Sequence, residues 1–290
     1  MDSPLNHIFF PVTFTELFAI WNRFPSAVIY AGGTNMNLNQ NLKEKIHILF
    51  ENPESNIQKF PPVILCLDKI DELHSITRTE HYLDIGAMVK LNSLLHLGKV
   101  VPHVICRCLE NIAGIQVRNI ATIGGNICSR SRLLDLPAPL TALDAQYEIR
   151  NSQSSRWVSA ARFHSTAEKT GIGNQEILTR IRLPLHQWDY SIFKKFNGQG
   201  FFSGETVVFL AKTQKNILSE IRIVYKTNSI IRNKDGEAIL NGKYLPLHRK
   251  TADEFVQNWK DFLANRQDET EFFKNALLNS IEKNVSNLSE

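Results

Sequence analysis

Two pairs of adjacent glycines have the residue types and surroundings of a phosphate-binding element. The first pair lies in AGGTN at positions 31–35 and the second in TIGGN at positions 122–126, each between an apolar stretch and a small polar residue. Because glycine lacks Cβ, the backbone can adopt positive φ and its N–H groups can approach a pyrophosphate directly. The side chains of Thr34, Asn35 and Asn126 could donate to the same oxygens. One such element is usually an ordinary turn, but two of the same form could clasp one phosphate bridge.

Neither glycine pair belongs to a conventional nucleotide-binding motif. No G-x-G-x-x-G opens a helix, and Gly33 is followed by Thr-Asn rather than by Lys and Ser/Thr, which excludes the Rossmann and P-loop motifs. A plant-type C-x4-C-x2-C cluster motif is also absent from the sequence. Cys106 and Cys108 fall on a predicted helix, where residues two apart point to different sides. We therefore expect no metal or iron–sulfur site on this chain.

Strands and helices must position these glycines. Helices are predicted from capping boxes at Thr13–Glu16 and Thr251–Glu254, and from periodicity at 90–96, 102–112 and 269–285. Short apolar or alternating runs predict strands at 27–31, 63–67, 82–87, 145–150, 156–160, 176–183, 190–196, 206–211 and 220–225. This mixture, with runs of strands before the closing helices, indicates an α+β architecture.

The composition excludes several classes of protein. The 33 basic and 29 acidic residues give a net charge of +4, without a dense Lys/Arg block interleaved with aromatic residues, so we expect no nucleic-acid partner. No segment approaches the roughly 20 apolar residues of a membrane-spanning helix, and the N-terminal sequence does not have the pattern of a secretory signal. Four cysteines are too few for a disulfide-stapled secreted domain. We expect a cytoplasmic protein that does not insert into membranes.

Longer segments resemble the FAD-binding (medium) subunit of molybdenum hydroxylases, the family of xanthine dehydrogenase and carbon monoxide dehydrogenase. The strongest resemblance is QVRNIATIGGNICSRSRLLDLPAPLTALDA at 116–145. Further similar segments, in the family's order, are VIYAGGTNMNL (28–38), IDELHSI (70–76), LDIGAMVKLNSLL (83–95), EILTRIRLP (176–184), EIRIVYK (220–226) and RNKDGEAILNGKYL (232–245). The resemblance implies a PCMH-type FAD-binding domain of two α/β subdomains at about 1–55 and 56–170. A C-terminal α+β domain, an antiparallel sheet with helices, would follow at 171–290.

The resemblance also implies a set of FAD-binding residues. The positions that match the family's pyrophosphate contacts, made largely through backbone N–H groups, are Ile29, Tyr30, Ala31, Gly32, Gly33, Thr34, Asn35, Met36, Thr122, Ile123, Gly124, Gly125 and Asn126. Asp135 would accept hydrogen bonds from cofactor hydroxyls, and Ile112 and Ala113 would lie beside the adenine. Leu178 would pack on the isoalloxazine, and Lys194 would lie near the flavin ring. No histidine adjoins Gly33, where covalently flavinylated relatives carry one, so we expect noncovalent FAD.

Several of these assignments have simpler alternatives. Asp135 could instead cap the following helix, Leu178 could be a core residue, and Lys194 could be solvated. Arg130 and Arg132 stand where the family usually has small residues or proline, and could face the cofactor, a partner or solvent.

The function that the resemblance implies is electron transfer. Electrons from [2Fe–2S] clusters on a ferredoxin-like partner subunit would pass through FAD to NAD+ or another acceptor, and a separate molybdopterin-binding subunit would oxidise the substrate. No catalytic residue for substrate oxidation is therefore expected on this chain. Two alternatives remain open from the sequence: a stand-alone PCMH-type flavin oxidoreductase, and a paralogue without FAD that acts in assembly or interaction.

Overall fold

The computed structural model describes residues 7–34, 63–129, 134–165, 171–196, 205–227, 229–266 and 271–286. The strands in these ranges are β1 (His7–Phe9), β2 (Val28–Tyr30), β3 (Val63–Cys66), β4 (Ile76–Arg78), β5 (Tyr82–Gly86), β6 (Gln146–Arg150), β7 (Ser155–Ser159), β8 (Ile177–Pro184), β9 (Tyr190–Phe196), β10 (Glu205–Gln214), β11 (Ile217–Lys226) and β12 (Ile230–Arg232). The α-helices are α1 (Phe14–Arg23), α2 (Leu91–His96), α3 (His103–Glu110), α4 (Ile115–Arg118), α5 (Ile123–Cys128), α6 (Pro137–Ala142), α7 (Ala160–Phe163), α8 (Lys234–Leu240), α9 (Arg249–Ala264) and α10 (Glu271–Ser286).

The first sheet is parallel, with β3 between β1 and β2. Helix α1 begins at the predicted capping box, where Thr13 Oγ1 accepts the Glu16 N–H at 3.2 Å and Glu16 Oε2 accepts the Val12 N–H at 2.8 Å. The buried side chains of α1 are Phe14, Leu17, Phe18 and Trp21. β3, the central strand of this sheet, lies beyond the predicted subdomain boundary near residue 55.

The second sheet has the strand order β4-β5-β8-β6-β7 and is antiparallel. The strands predicted at 145–150 and 156–160 are present as β6 and β7, which pair as a hairpin. Residues such as Leu83, Ile149 and Ile181 are buried on the inner face of the sheet. β8 pairs with β5 on one side and β6 on the other, so it completes this sheet. β8 lies beyond the predicted domain boundary at 170/171.

The third sheet is antiparallel, in the order β12-β11-β10-β9, and packs with the C-terminal helices around a second core. Phe209, Ile223, Phe255 and Trp259 are fully or almost fully buried there. The predicted helix start at Thr251 is wrong: α9 begins at Arg249, and its N-cap makes no side-chain hydrogen bond. The prediction of an α+β fold that ends in an antiparallel sheet with helices is confirmed.

The third sheet is joined to the preceding part of the chain through helix α6. Arg222 on β11 donates to the Ala142 carbonyl at 2.8 Å and forms an ion pair with Asp144 at 2.7 Å, just beyond the end of α6. Arg232 on β12 forms an ion pair with Asp144 at 3.0 Å. These contacts fix the C-terminal end of α6. None of the helices in the described ranges has the length and apolar character needed to cross a bilayer.

Candidate functional site

The fold brings the two glycine pairs side by side, although about 90 residues separate them in the sequence. A Cβ on Gly32 would collide with the carbonyl oxygen of Ile120 and would lie 3.1 Å from the Ala121 Cα. Gly33 has a φ of 66°, a left-handed conformation that favours glycine. Close backbone contact thus requires glycine at 32, and backbone conformation favours it at 33.

The second glycine pair lies in the first turn of α5. Thr122 is the N-cap residue, and its Oγ1 accepts the Gly125 N–H at 3.0 Å. The Gly124 N–H donates to the Ala87 carbonyl at 2.8 Å, and the Ile123 N–H to the Val89 carbonyl at 3.0 Å. A Cβ on Gly124 would lie 2.7 Å from that Ala87 oxygen, so glycine is needed here for close packing.

The two glycine elements therefore differ in the donors that they offer. The N–H groups of Gly32, Gly33 and Thr34 have no hydrogen-bond partner among the described residues. In the second element, the N–H groups of residues 123–126 are all bonded within the protein. Backbone binding of an anion, which we expected from both elements, is thus available without rearrangement only at the first.

Both glycine elements border a cavity of about 1000 Å³. A wall of the cavity is formed by residues 172–178, with Leu178 only 4% exposed at the start of β8. The Oδ1 atom of Asn126, another lining residue, is buried and has no hydrogen-bond partner in the part of the chain that the structure describes. A buried amide oxygen without a partner is costly unless a ligand or water donates to it.

Ten of the predicted cofactor-binding residues in the described ranges line the cavity: Ile29, Ala31, Gly32, Gly33, Thr34, Thr122, Gly124, Gly125, Asn126 and Leu178. Tyr30 and Ile123 lie outside the lining, the former against Gly33 and the latter in the core. Asn35, Met36, Arg130 and Arg132 fall outside the described residues.

Ile112 and Ala113, the predicted adenine neighbours, are not part of the cavity lining. Ala113 has a φ of 42°. The guanidinium of Arg118 donates to the carbonyl of Ile112 at 2.9 Å and to that of Ala113 at 2.6 Å. This pair of bonds stabilises the turn between α3 and α4.

Asp135 is completely buried and forms an ion pair with Lys195 on β9, with 2.6 Å between Nζ and Oδ2. Its other oxygen, Oδ1, has no hydrogen-bond partner among the residues described. The alternative role as a helix cap is not observed, because Leu136 is the N-cap of α6 and no side chain caps it. Lys226 lies near this pair, and burial lowers its pKa to about 8 although Asp135 opposes that shift.

Lys194 is exposed and stacks on the ring of Phe196, with its Nζ 4.8 Å from the ring centroid. It is not among the residues that line the cavity. Because side chains alternate along a strand, the next residue, Lys195, points to the opposite face of β9, towards Asp135. The lysine that pairs with a predicted site residue is therefore Lys195.

Several lining residues were not predicted from the sequence. They are Trp21, Pro25, Ala27, Val28, Leu67, Ala87, Met88, Ala121, Cys128, Ser129, Leu134 and residues 172–177. Gly171 and Gly173 favour a loop in the last of these segments, but no local pattern shows that the loop faces the glycine pairs. Burial raises the pKa of the Cys128 thiol to about 12, so it is protonated at neutral pH. Within the described ranges, no three His, Cys, Asp or Glu side chains could together hold a metal ion.

The cavity fits FAD on these observations. Its size and apolar Leu178 wall suit a ring system, its first glycine element offers N–H donors for a pyrophosphate, and the Asn126 oxygen suits a hydroxyl or N–H donor.

Comparisons with known proteins agree with this assignment. Residues 4–186 match the model of the "FAD binding domain in molybdopterin dehydrogenase" family. Xanthine dehydrogenase 2 of Arabidopsis thaliana is 27% identical over 257 residues, which cover 80% of this chain but 18% of that protein. The xanthine dehydrogenase FAD-binding subunit of Escherichia coli O157:H7 is 32% identical over 124 residues, covering 42% of each chain. This chain thus spans well under two thirds of these two relatives.

Solved structures show the same fold over the full chain. A chain of quinoline 2-oxidoreductase from Pseudomonas putida 86 superposes with a TM-score of 0.76 at 20% identity, covering 100% of this chain and 98% of that one. A chain of the Hydrogenophaga pseudoflava carbon monoxide dehydrogenase gives 0.75 at 21% identity, with the same coverage. The family match covers more than half of the sequence, and the chain therefore belongs to the family of FAD-binding domains of molybdopterin dehydrogenases, with FAD as its cofactor.

Proposed function

We propose that this chain is the electron-transfer subunit of a multi-subunit molybdenum hydroxylase and holds FAD noncovalently in the cavity between its glycine pairs. The proposal rests on the position of both glycine pairs at one cavity, where the N–H groups of Gly32, Gly33 and Thr34 have no hydrogen-bond partner among the described residues. Family membership supports it.

We assign different tasks to the two glycine elements. The N–H groups of the first would donate to the pyrophosphate oxygens, and backbone donors of this kind need no side-chain reorganisation on binding. The second element holds its own N–H groups in internal bonds. Its task would be to bring the Thr122 hydroxyl and the Asn126 amide to the cavity edge, with glycine permitting close packing on Ala87.

The remaining assignments concern the cofactor's ring, hydroxyls and adenine. Leu178 would pack on the isoalloxazine, since it lies in the apolar wall. Asp135 would accept a hydroxyl through Oδ1 while Lys195 neutralises its charge through Oδ2. Proximity of Lys194 to the flavin ring, and of Ile112 and Ala113 to the adenine, is supported by the resemblance alone.

When bound, FAD supplies a centre that can exchange one electron or two at a time. We infer that the electrons come from [2Fe–2S] clusters on a ferredoxin-like partner subunit. A third, molybdopterin-binding subunit would oxidise the substrate, and NAD+ or another molecule would be the final acceptor. The Escherichia coli relative, whose name is the FAD-binding subunit of xanthine dehydrogenase, and the molybdopterin dehydrogenase family support a separate subunit for FAD. The four free cysteines suit the reducing environment of the cytoplasm.

Reconstitution and isolation of the assembled complex test the proposal. The purified chain, titrated with FAD, should bind one equivalent and show the absorbance of bound flavin. An affinity-tagged chain, isolated from its native source, should bring down iron and molybdenum in stoichiometric amounts. A chain that stays colourless would overturn cofactor binding, whereas a flavin reduced by substrate without any metal-containing partner would favour a stand-alone oxidoreductase.

A further inference from the structure

One wall of the cavity is a loop at residues 171–176, which we call the strap. It leads directly into β8 and Leu178 and contributes Ile172, Gly173, Asn174 and Gln175 to the cavity lining. Gln175 has a φ of 55°, and its side chain donates to the carbonyl of Trp21 on α1 at 3.3 Å. The strap thus spans the cavity from the second sheet to the first helix.

Glu176 closes the strap into a turn. Its Oε2 accepts the Gly173 N–H at 2.7 Å, while its own N–H donates to the Gly173 carbonyl at 3.4 Å. A Cβ at Gly171 would lie 3.2 Å from the Cα of Phe163, so the strap also packs closely against α7.

Arg156 on β7 fixes both ends of this turn from outside the cavity. Its Nη2 and Nε donate to the two carboxylate oxygens of Glu176 at 2.8 and 3.2 Å, and Nη2 also donates to the Gly171 carbonyl at 3.0 Å. Planar, two-point guanidinium–carboxylate bonds constrain orientation as well as distance. These bonds hold the pKa of Glu176 below its usual range, so the carboxylate that closes the turn remains charged.

We propose that Arg156 is a positioning residue for cofactor binding: through Glu176 it holds the strap, and hence one cavity wall, in its binding conformation. The inference rests on the proposed binding of FAD in this cavity. Arg156 is not among the lining residues, so its effect would be indirect. A strap released from Arg156 would have to be ordered when the ligand binds, and that ordering reduces affinity.

The expected effect is modest, because the Arg156 side chain is 48% exposed and solvent weakens its bonds. We expect the Arg156→Gln variant to bind FAD about fivefold more weakly, the order of one charge-assisted hydrogen bond discounted for exposure. Arg156→Lys should recover part of the loss, because it retains the charge without the planar fork. Arg107→Gln is the matched control, since Arg107 forms an exposed ion pair with Glu110 at 3.2 Å on α3, away from the cavity.

Two measurements on each variant separate the possible outcomes. FAD affinity is obtained from the quenching of flavin fluorescence, and hydrogen exchange in the apo-protein reports the protection of the Gly173 amide. Arg156→Gln should accelerate Gly173 exchange and weaken binding, with a thermal unfolding midpoint close to that of Arg107→Gln. If the wild type binds FAD, an unchanged affinity in Arg156→Gln overturns the inference. An equal loss of FAD affinity in Arg107→Gln overturns it too. A wild type that does not bind FAD refutes the proposed function instead, and unaltered Gly173 exchange would still refute the strap mechanism.

Discussion

Replacing Gly125 by alanine should separate cofactor binding from folding. A Cβ at this position would lie 2.9 Å from the Thr122 Oγ1 and 4.0 Å from the Ala31 Cβ. Outside its own helix and its chain neighbours, no other atom of the described residues would lie within 4 Å. The hydroxyl can shift, and alanine is favoured over glycine inside a helix by roughly 0.5–1 kcal/mol. We therefore expect the free energy of unfolding of the apo-protein to change by less than about 1 kcal/mol.

The same methyl group should weaken FAD binding, because Gly125 lines the cavity. Forcing an additional methyl into a packed contact costs about 1–3 kcal/mol, and 1.4 kcal/mol corresponds to about tenfold in the dissociation constant. We expect the Gly125→Ala variant to bind FAD at least about fivefold more weakly. Fluorescence titration gives the affinity, and denaturant unfolding of the apo-protein gives the stability.

Two further variants calibrate this result. Gly114→Ala also places a Cβ close to a polar side-chain atom, 3.0 Å from the Gln116 Oε1. Because Gly114 does not line the cavity, this variant should leave FAD affinity unchanged. Gly124→Ala places a Cβ 2.7 Å from the Ala87 carbonyl oxygen and should destabilise the apo-protein by about 1–3 kcal/mol. Wild-type affinity in Gly125→Ala, or a loss of stability equal to that in Gly124→Ala, would refute the reasoning.

Three other predictions concern the charged and titrating groups. Burial lowers the pKa of His164 to about 4, so the unfolded chain binds a proton at a higher pH than the folded chain does. The free energy of unfolding should therefore fall by about 3 kcal/mol between pH 6.5 and pH 4. Urea titrations of the His164→Gln variant should lack that part of the fall. Lys195→Met removes the ion pair of the buried Asp135 and should lower the free energy of unfolding by about 2 kcal/mol. Adding Asp135→Asn in a double variant should restore much of this loss. A thermal midpoint of Lys195→Met equal to that of the wild type would contradict this. Arg222→Met removes the bonds to the end of α6 and should lower the free energy of unfolding by about 2 kcal/mol. Calorimetry measures this loss, and an unchanged stability would show that these bonds contribute nothing.

The elements that depend on local patterns were predictable from the sequence. Short apolar or alternating runs located β2, β3, β6 and β7. The place of β8 in the second sheet was not predictable, because it is set by pairing with β5 and β6, which no local pattern encodes. The second capping-box motif was misleading for a similar reason, since α9 begins two residues before Thr251.

Among the site residues too, those marked by a local sequence pattern were predictable, and those placed by tertiary packing were not. The glycine pairs were found from their composition, but the strap lies about 50 residues beyond the second pair and reaches the cavity only through tertiary packing. Lys194 and Lys195 are indistinguishable by residue type. Only the alternation of β9 relative to the core shows that Lys195 is directed at Asp135.

Accounting for backbone hydrogen bonds changes how the two glycine pairs are understood. A buried N–H must have a partner, and the carbonyls of Ala87 and Val89 already provide partners for the N–H groups of Gly124 and Ile123. Binding a phosphate with those groups would require breaking bonds that hold α5 against the second sheet. The first pair has no such commitment among the described residues, so its N–H groups can meet an anion without a structural cost. Similar sequences thus have different physical purposes: Gly32 and Gly33 present donors, whereas Gly124 lets the backbone approach closely enough for its own donor to be satisfied.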